Sequence, residues 1–208
     1  MSGAAKRALI LVDLQNDFVA GGALAVADGD AVVAVANRMQ PRFDLVIATQ
    51  DWHPQNHQSF ASAHAGKKAG DVIDLHGLPQ VLWPTHCVQE SAGADFVATL
   101  STESIHHVVR KGTDPEIDSY SGFFDNGHRK KTEMTSLLQD ACVDEVWVMG
   151  LATDYCVKFT ALDSVEQGFP TVLIVDGCRA VNLDPDDGAE AIAQMRRAGV
   201  RIMESTDV

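Results

Sequence analysis

Short apolar runs, each ending abruptly in polar chemistry, recur along the chain. Ala8–Val12 (A-L-I-L-V) stops at Asp13, Leu45–Thr49 (L-V-I-A-T) stops at Gln50 and Asp51, and Val146–Val148 leads to a break at Gly150. Runs this short, apolar at every position rather than at alternate ones, predict strands buried on both faces. His106–Arg110, Thr171–Asp176 and Val200–Met203 predict three more. Between them the apolar spacing turns helical over Asp30–Gln40, Glu133–Ala141, Tyr155–Gln167 and Pro185–Ala198, and more briefly over Ala94–Leu100. Thr132 is placed to cap the second of these helices, and Thr153 and Asp154 the third. Strands alternating with helices predict an α/β fold: a doubly wound, mainly parallel sheet of about six strands with helices on both faces.

Two stretches lack either period. Gln55–Gly93 is rich in Gly, His, Pro and Ala, and a region this long (about 50–93) reads as a functional loop rather than filler. Asp118–Gly122 (D-S-Y-S-G), with Phe123 and Phe124, reads as a loop carrying exposed aromatics.

The 208 residues suit one domain over 1–208 with a sizeable core. A formal charge of −13 with no offsetting basic patch argues against a nucleic-acid or anionic-membrane partner and for a cytoplasmic protein. The start, M-S-G-A-A-K-R, leads into too short an apolar run for a secretion signal, and no segment is long and apolar enough to span a membrane. Cys87, Cys142, Cys156 and Cys178 are widely spaced with no C-x-x-C pair, which suits free thiols better than a disulfide framework.

In a doubly wound sheet the C-terminal strand ends share one edge, where ligands bind. Asp13, Asp51, Lys111 and the loop before Cys156 all fall at such ends. Cys156 lies in the first turn of a predicted helix, where backbone N–H groups and the helix dipole favour a thiolate. An Asp can take the thiol proton and pass it to a leaving group, while a Lys can hold the Asp ionised and lower the thiol pKa. Each residue also has a plainer reading: a small buried Cys at a strand–helix junction, a surface Lys, a turn carboxylate. Asp51 and His53 are two residues apart, on one side of an extended chain, and His86 in W-P-T-H-C could join them. One carboxylate and two imidazoles suit Zn, Fe or Mn, although loop histidines also serve simply as hydrogen-bonding groups. Pro54 argues against the helical turn that would bring His57 beside His53.

The motifs V-D-L-Q-N-D-F (Val12–Phe18), T-Q-D-W-H-P (Thr49–Pro54), W-P-T-H-C-V-Q (Trp83–Gln89), K-G (Lys111–Gly112), Y-S-G-F (Tyr120–Phe123) and G-L-A-T-D-Y-C-V (Gly150–Val157) run in order along nearly the whole chain. With them the sequence resembles the nicotinamidase/pyrazinamidase branch of the isochorismatase-like cysteine hydrolases. The resemblance implies a catalytic set of Asp13, Lys111 and Cys156. It implies a cis peptide at Leu151-Ala152 and an oxyanion hole from the backbone N–H groups of Ala152 and Cys156. Asp51, His53 and His86 would bind one divalent metal ion. Ser59 aligns with a variable fourth position and would touch a metal-bound water, leaving His57 just outside. Phe18, Trp83 and Tyr120 would wall the substrate ring. The implied reaction is hydrolysis of nicotinamide, and of pyrazinamide, through a Cys thioester in NAD salvage. A homo-oligomer is compatible with the resemblance.

Three alternatives fit less well. A carbamoyl- or ureido-hydrolase of the same superfamily needs no D-W-H-P and W-P-T-H-C pair, and isochorismatase itself lacks the nucleophilic Cys. A nucleotide-binding module would want G-x-G-x-x-G after the first strand, where Asp13-Leu14-Gln15-Asn16 stands instead.

Overall fold

The first strand, β1 (Arg7–Val12), sits inside a six-stranded sheet. The computed structural model describes residues 5–208, so the first four residues of the N-terminal stretch weighed above as a leader lie outside the described residues. The other strands of the sheet are β2 (Leu45–Asp51), β5 (His107–Lys111), β6 (Glu145–Leu151), β7 (Thr171–Arg179) and β8 (Arg201–Met203). Their order is β5-β2-β1-β6-β7-β8, and every pairing is parallel. All side chains from Ala8 to Val12 are fully buried, as the unbroken apolar run requires. Burying one such Leu, Ile or Val contributes about 1.5–3 kcal/mol, which explains why the centre of the sheet is written so plainly in the sequence.

Helices α1 (Asp30–Met39), α3 (Lys158–Glu166) and α4 (Asp187–Arg197) pack on β6, β7 and β8. Helix α2 (Met134–Asp140) buries Met134 and Leu138, and the Thr132 hydroxyl accepts the Met134 N–H at its start. No helix among the described residues is long and apolar enough to cross a membrane.

Four local expectations are corrected. Ala94–Leu100 is not a helix, because distant partners claim its backbone: the Asn16 N–H donates to Asp95 O, the Val97 N–H donates to Leu14 O, and both Gln15 and Gln50 donate side-chain N–H groups to Ala94 O. The long loop contains a hairpin, β3 (Val72–Leu75) and β4 (Leu78–Val81), too short to register as an apolar period. Phe123, expected at the surface, is 1% exposed and belongs to the core. Cys156 follows β6 in a π-helical turn, Thr153–Val157, before α3 begins. Neither Thr153 nor Asp154 caps that turn; the Asp154 carboxylate instead accepts the Val181 and Asn182 N–H groups at 2.9 and 2.8 Å.

The register puts the polar strand ends side by side. Asp51 pairs with Lys111 across β2 and β5, and Val12, just before Asp13, pairs with Gly150 across β1 and β6. Gly150 has φ +129°, and a Cβ there would lie 2.2 Å from Val12 O, so only glycine allows this approach.

Candidate active site

Lys111 is fully buried, and its ammonium is the hub of the rim. Its Nζ lies 2.9 Å from Asp13 Oδ2 and 3.0 Å from Asp51 Oδ1. It donates to Ser119 O at 3.0 Å and approaches Cys156 Sγ at 3.4 Å. Asp13, Lys111 and Cys156, predicted from three separate strand ends, therefore meet. The Thr49 hydroxyl donates to Asp13 Oδ1 at 2.6 Å and accepts the Asp13 N–H at 3.2 Å. That leaves Asp13 Oδ2 with the lysine charge but no aligned hydrogen-bond donor, and the carboxyl faces the Cys156 thiol.

Two carboxylates around one ammonium set the electrostatics. Burial pushes the Cys156 thiol well up; Lys111 opposes this, while Asp13 and Asp51 add to it. The thiolate favoured by the start of the helix is thus opposed by desolvation and two anions, with the lysine acting on its side. Burial also raises the Asp13 carboxyl above its ordinary range, while Lys111 and the Thr49 hydroxyl act to keep it ionised. Lys111 is held charged: burial works against the ammonium, but the two carboxylates raise it well above the usual lysine value. The arrangement sets a thiol beside a carboxyl group, with the pKa of each raised by burial.

Asp51, His53 and His86 also come together, their ligand atoms all within 4.8 Å of one another. His53 Nε2 lies 3.1 Å and His86 Nε2 3.4 Å from Asp51 Oδ2. The other ring nitrogens are already used: His53 Nδ1 donates to Gly112 O at 2.9 Å and His86 Nδ1 to Pro84 O at 2.7 Å. A carbonyl can only accept, so both Nδ1 atoms carry a proton and both Nε2 lone pairs face the carboxylate oxygen, the arrangement of metal-ligating histidines. The carboxylate oxygen between the two rings favours positive charge at this point. Burial resists that charge on His53, yet Asp51 outweighs it and pushes His53 up to about 9. Burial likewise opposes the Asp51 charge, but His53 and Lys111 hold Asp51 well below the carboxylate range. The donor set fits a divalent cation.

Local chain geometry fixes these ligands. Gly112, at φ +64°, brings its carbonyl to His53 at a point where a Cβ would lie 2.4 Å from the ring. The His86 loop is held by the Asp17 carboxylate, which accepts the Cys87 N–H at 2.7 Å, and by a backbone bridge of Val88 to His53. The Gln15 side chain accepts the Asp51 N–H and donates to Asp51 O, both at 2.8 Å, tying β2 to the end of β1.

A small cavity of about 30 Å³ lies between the two sets. Phe18, Trp83 and Tyr120 line it as expected, together with Asp51, His86, Ala152 and Cys156. The Leu151-Ala152 peptide is cis, as the resemblance implied. Tyr155, Asp118 and Val181, not singled out in the sequence, complete the wall. Tyr155 packs edge-on against Trp83 and Tyr120, with centroids 4.8 and 5.3 Å away. Gln80 on β4 donates to Asp118 Oδ2 and to the Tyr120 hydroxyl, each at 3.1 Å, so the unforeseen hairpin braces the cavity. Asp118 stands two residues before Tyr120 of the Y-S-G-F motif, the one signal that could have drawn attention to it.

Ser59 and His57 lie together beside His53. Ser59 is buried, and its hydroxyl bonds His57 Nδ1 at 2.7 Å. His57 is not just outside the site; its ring lies 4.2 Å from that of His53, centroid to centroid, and burial lowers its pKa to about 4, keeping it neutral. Backbone turns rather than a helix bring it there, including the His57 N–H to Pro54 O at 3.0 Å.

Comparison with known proteins agrees with this geometry. The family model described as the Isochorismatase domain matches residues 7–207. The nicotinamidase of Escherichia coli (strain K12) is 54% identical over 205 residues, covering 97% of this chain and 96% of that protein. A solved Acinetobacter baumanii nicotinamidase/pyrazinamidase superposes with a TM-score of 0.95 at 42% identity, covering 99% of each chain. The pyrazinamidase of Pyrococcus horikoshii, solved in complex with zinc, gives a TM-score of 0.78 at 36% identity and covers 96% of this chain and 99% of that one.

Proposed function

The chain belongs to the isochorismatase family, and from that premise we propose that it is an amidohydrolase converting nicotinamide to nicotinate and ammonia, with pyrazinamide as a second substrate. The observation that carries this reading is the placement of Lys111 Nζ, within 3.4 Å of Cys156 and in ion-pair contact with both Asp13 and Asp51. One buried ammonium thus joins a thiol–carboxylate pair to a metal-ligand set, across a cavity walled by aromatics.

In the proposed reaction Asp13 takes the Cys156 proton as Sγ attacks the carboxamide carbon. Lys111 stays charged and balances the Asp13 and Asp51 carboxylates throughout. The backbone N–H groups of Ala152 and Cys156 stabilise the oxygen that gains charge. Asp13 then gives its proton to the departing amine, releasing ammonia and leaving a thioester on Cys156. Water attacks the thioester with Asp13 as base, nicotinate leaves, and the proton returns to the thiol. Phe18, Trp83, Tyr120 and Tyr155 hold the ring flat and exclude bulk water.

Asp51, His53 and His86 would hold one divalent metal ion, with zinc, iron and manganese all compatible with the donors. When bound, such an ion supplies a Lewis-acidic anchor for the pyridine nitrogen. Ser59, bonded to His57, would touch a water on that ion. Nicotinate formation places the protein in NAD salvage, and its acidic, membrane-span-free sequence suits the cytoplasm.

Ammonia release from nicotinamide tests the reading. Purified protein should release ammonia, lose that activity on chelation and regain it with a divalent ion. No release under either condition would reject the assignment in favour of a carbamoyl-hydrolase.

A further inference from the structure

A second cluster of metal-ligating groups lies apart from the Asp51 set. His128, Asp163 and Glu166 bring one ligand atom each to within 4.8 Å of one another. Asp163 is on α3, 6% exposed, and Glu166 stands one turn further along the same helix. Residues three apart on a helix share a face, so the two carboxylates are neighbours. His128 comes from the loop between the Tyr120 segment and α2, and its Nε2 lies 3.5 Å from Asp163 Oδ1. The other oxygen, Asp163 Oδ2, is buried with no hydrogen-bond partner, and Asp163 lines an open groove shared with His128 and Phe159. An orphaned oxygen on a buried carboxylate is costly and calls for a specific explanation.

The histidine is held in advance. Its ring stacks on Phe124 with centroids 4.6 Å apart and planes at 12°. Its backbone, at φ +52°, is set by the Asp125 carboxylate, which accepts the N–H groups of Gly127, Arg129 and Lys130 at 3.1, 2.8 and 2.9 Å. His128 and Glu166 are the exposed members of the cluster, and Asp163 is the buried one. Burial raises the Asp163 carboxyl; the Ser121 hydroxyl and His128 beside it act the other way, and Glu166 adds to the rise.

We propose that His128, Asp163 and Glu166 form a second divalent-metal site of the zinc class, distinct from the Asp51 set. One imidazole and two carboxylates with open positions suit zinc, whereas magnesium prefers all-oxygen donors and keeps its waters. Such an ion would tie the loop that carries Tyr120 and Ser121 to α3, the helix that follows Cys156. The Thr160 hydroxyl already makes one such tie by accepting the Gly122 N–H at 2.9 Å.

The test titrates metal-free full-length protein with Zn²⁺ and measures bound ion per chain and Tm for the wild type and His128→Ala, a change at a half-exposed side chain. The wild type should hold one ion more than H128A. H128A should keep its turnover, and excess zinc should raise the wild-type Tm by more than that of H128A, which keeps only the Asp51 set. Asp51→Ala should lose a different ion and keep this one. If the Asp51 set held no metal, D51A would match the wild type and H128A would still lose an ion, so the two failures are distinguishable. Equal zinc content in wild type and H128A would overturn the proposal, as would magnesium filling the position as well as zinc.

Discussion

Asp13 sits at φ +50°, a left-handed conformation uncommon for a non-glycine residue, at the point where β1 releases the chain into the site. Strain of this kind costs of order 1–3 kcal/mol and persists where the surroundings over-determine it; here Thr49, Lys111 and the neighbouring strand ends do so. The residue combines that geometry with a raised carboxyl pKa, caused chiefly by burial. In the proposed mechanism the carboxylate form is the working base, so kcat/KM should fall as pH drops through the Asp13 pKa, at a higher pH than an ordinary carboxylate would give. The linkage sign is the opposite of that for a salt-bridged acid: a raised folded-state pKa contributes stability below the ordinary value near 3.8, and loses it as pH rises through the folded pKa. Asp13→Asn should therefore abolish turnover without lowering Tm at neutral pH. A D13N enzyme that kept an acid limb and substantial ammonia release would contradict the assignment.

Among the elements, the β6 strand and the turn after it carry the tightest constraint. Gly150 meets Val12 so closely that Gly150→Ala would force apart the two strands that deliver Asp13 and Cys156. G150A should cost at least about 2 kcal/mol of stability by denaturant unfolding and remove activity, whereas a variant as stable as wild type would show that the approach is not required. The strands were legible because β1, β2 and β6 are buried at nearly every position, leaving unbroken apolar runs. The 94–100 segment was misread because its apolar spacing arises from packing against the β1 exit, not from a helix face. The π-helical turn at Thr153–Val157 left no trace either: Asp154, a good cap by residue type, is drawn off to hold the Val181 loop.

On the scale of the whole molecule, a parallel sheet brings residues nearly 150 positions apart to one edge, and Asp51 opposite Lys111 is a direct product of strand register. That convergence could be read from the strand ends, and the order of the motifs pointed to both the cysteine set and the metal ligands. What stayed hidden was supplied by non-local loops. Asp118 reaches the cavity only through the folding of irregular chain, and His57 enters through turns that no period announces. The resting state of Cys156 was also beyond reach, since it depends on two carboxylates meeting one lysine in a desolvated space. The central claim is that this cysteine makes and breaks the bond. Steady-state ammonia release by Cys156→Ala, alongside nicotinamide binding by the same variant, tests it most directly. Turnover should be lost while ring binding persists; measurable metal-supported turnover by C156A would contradict the account.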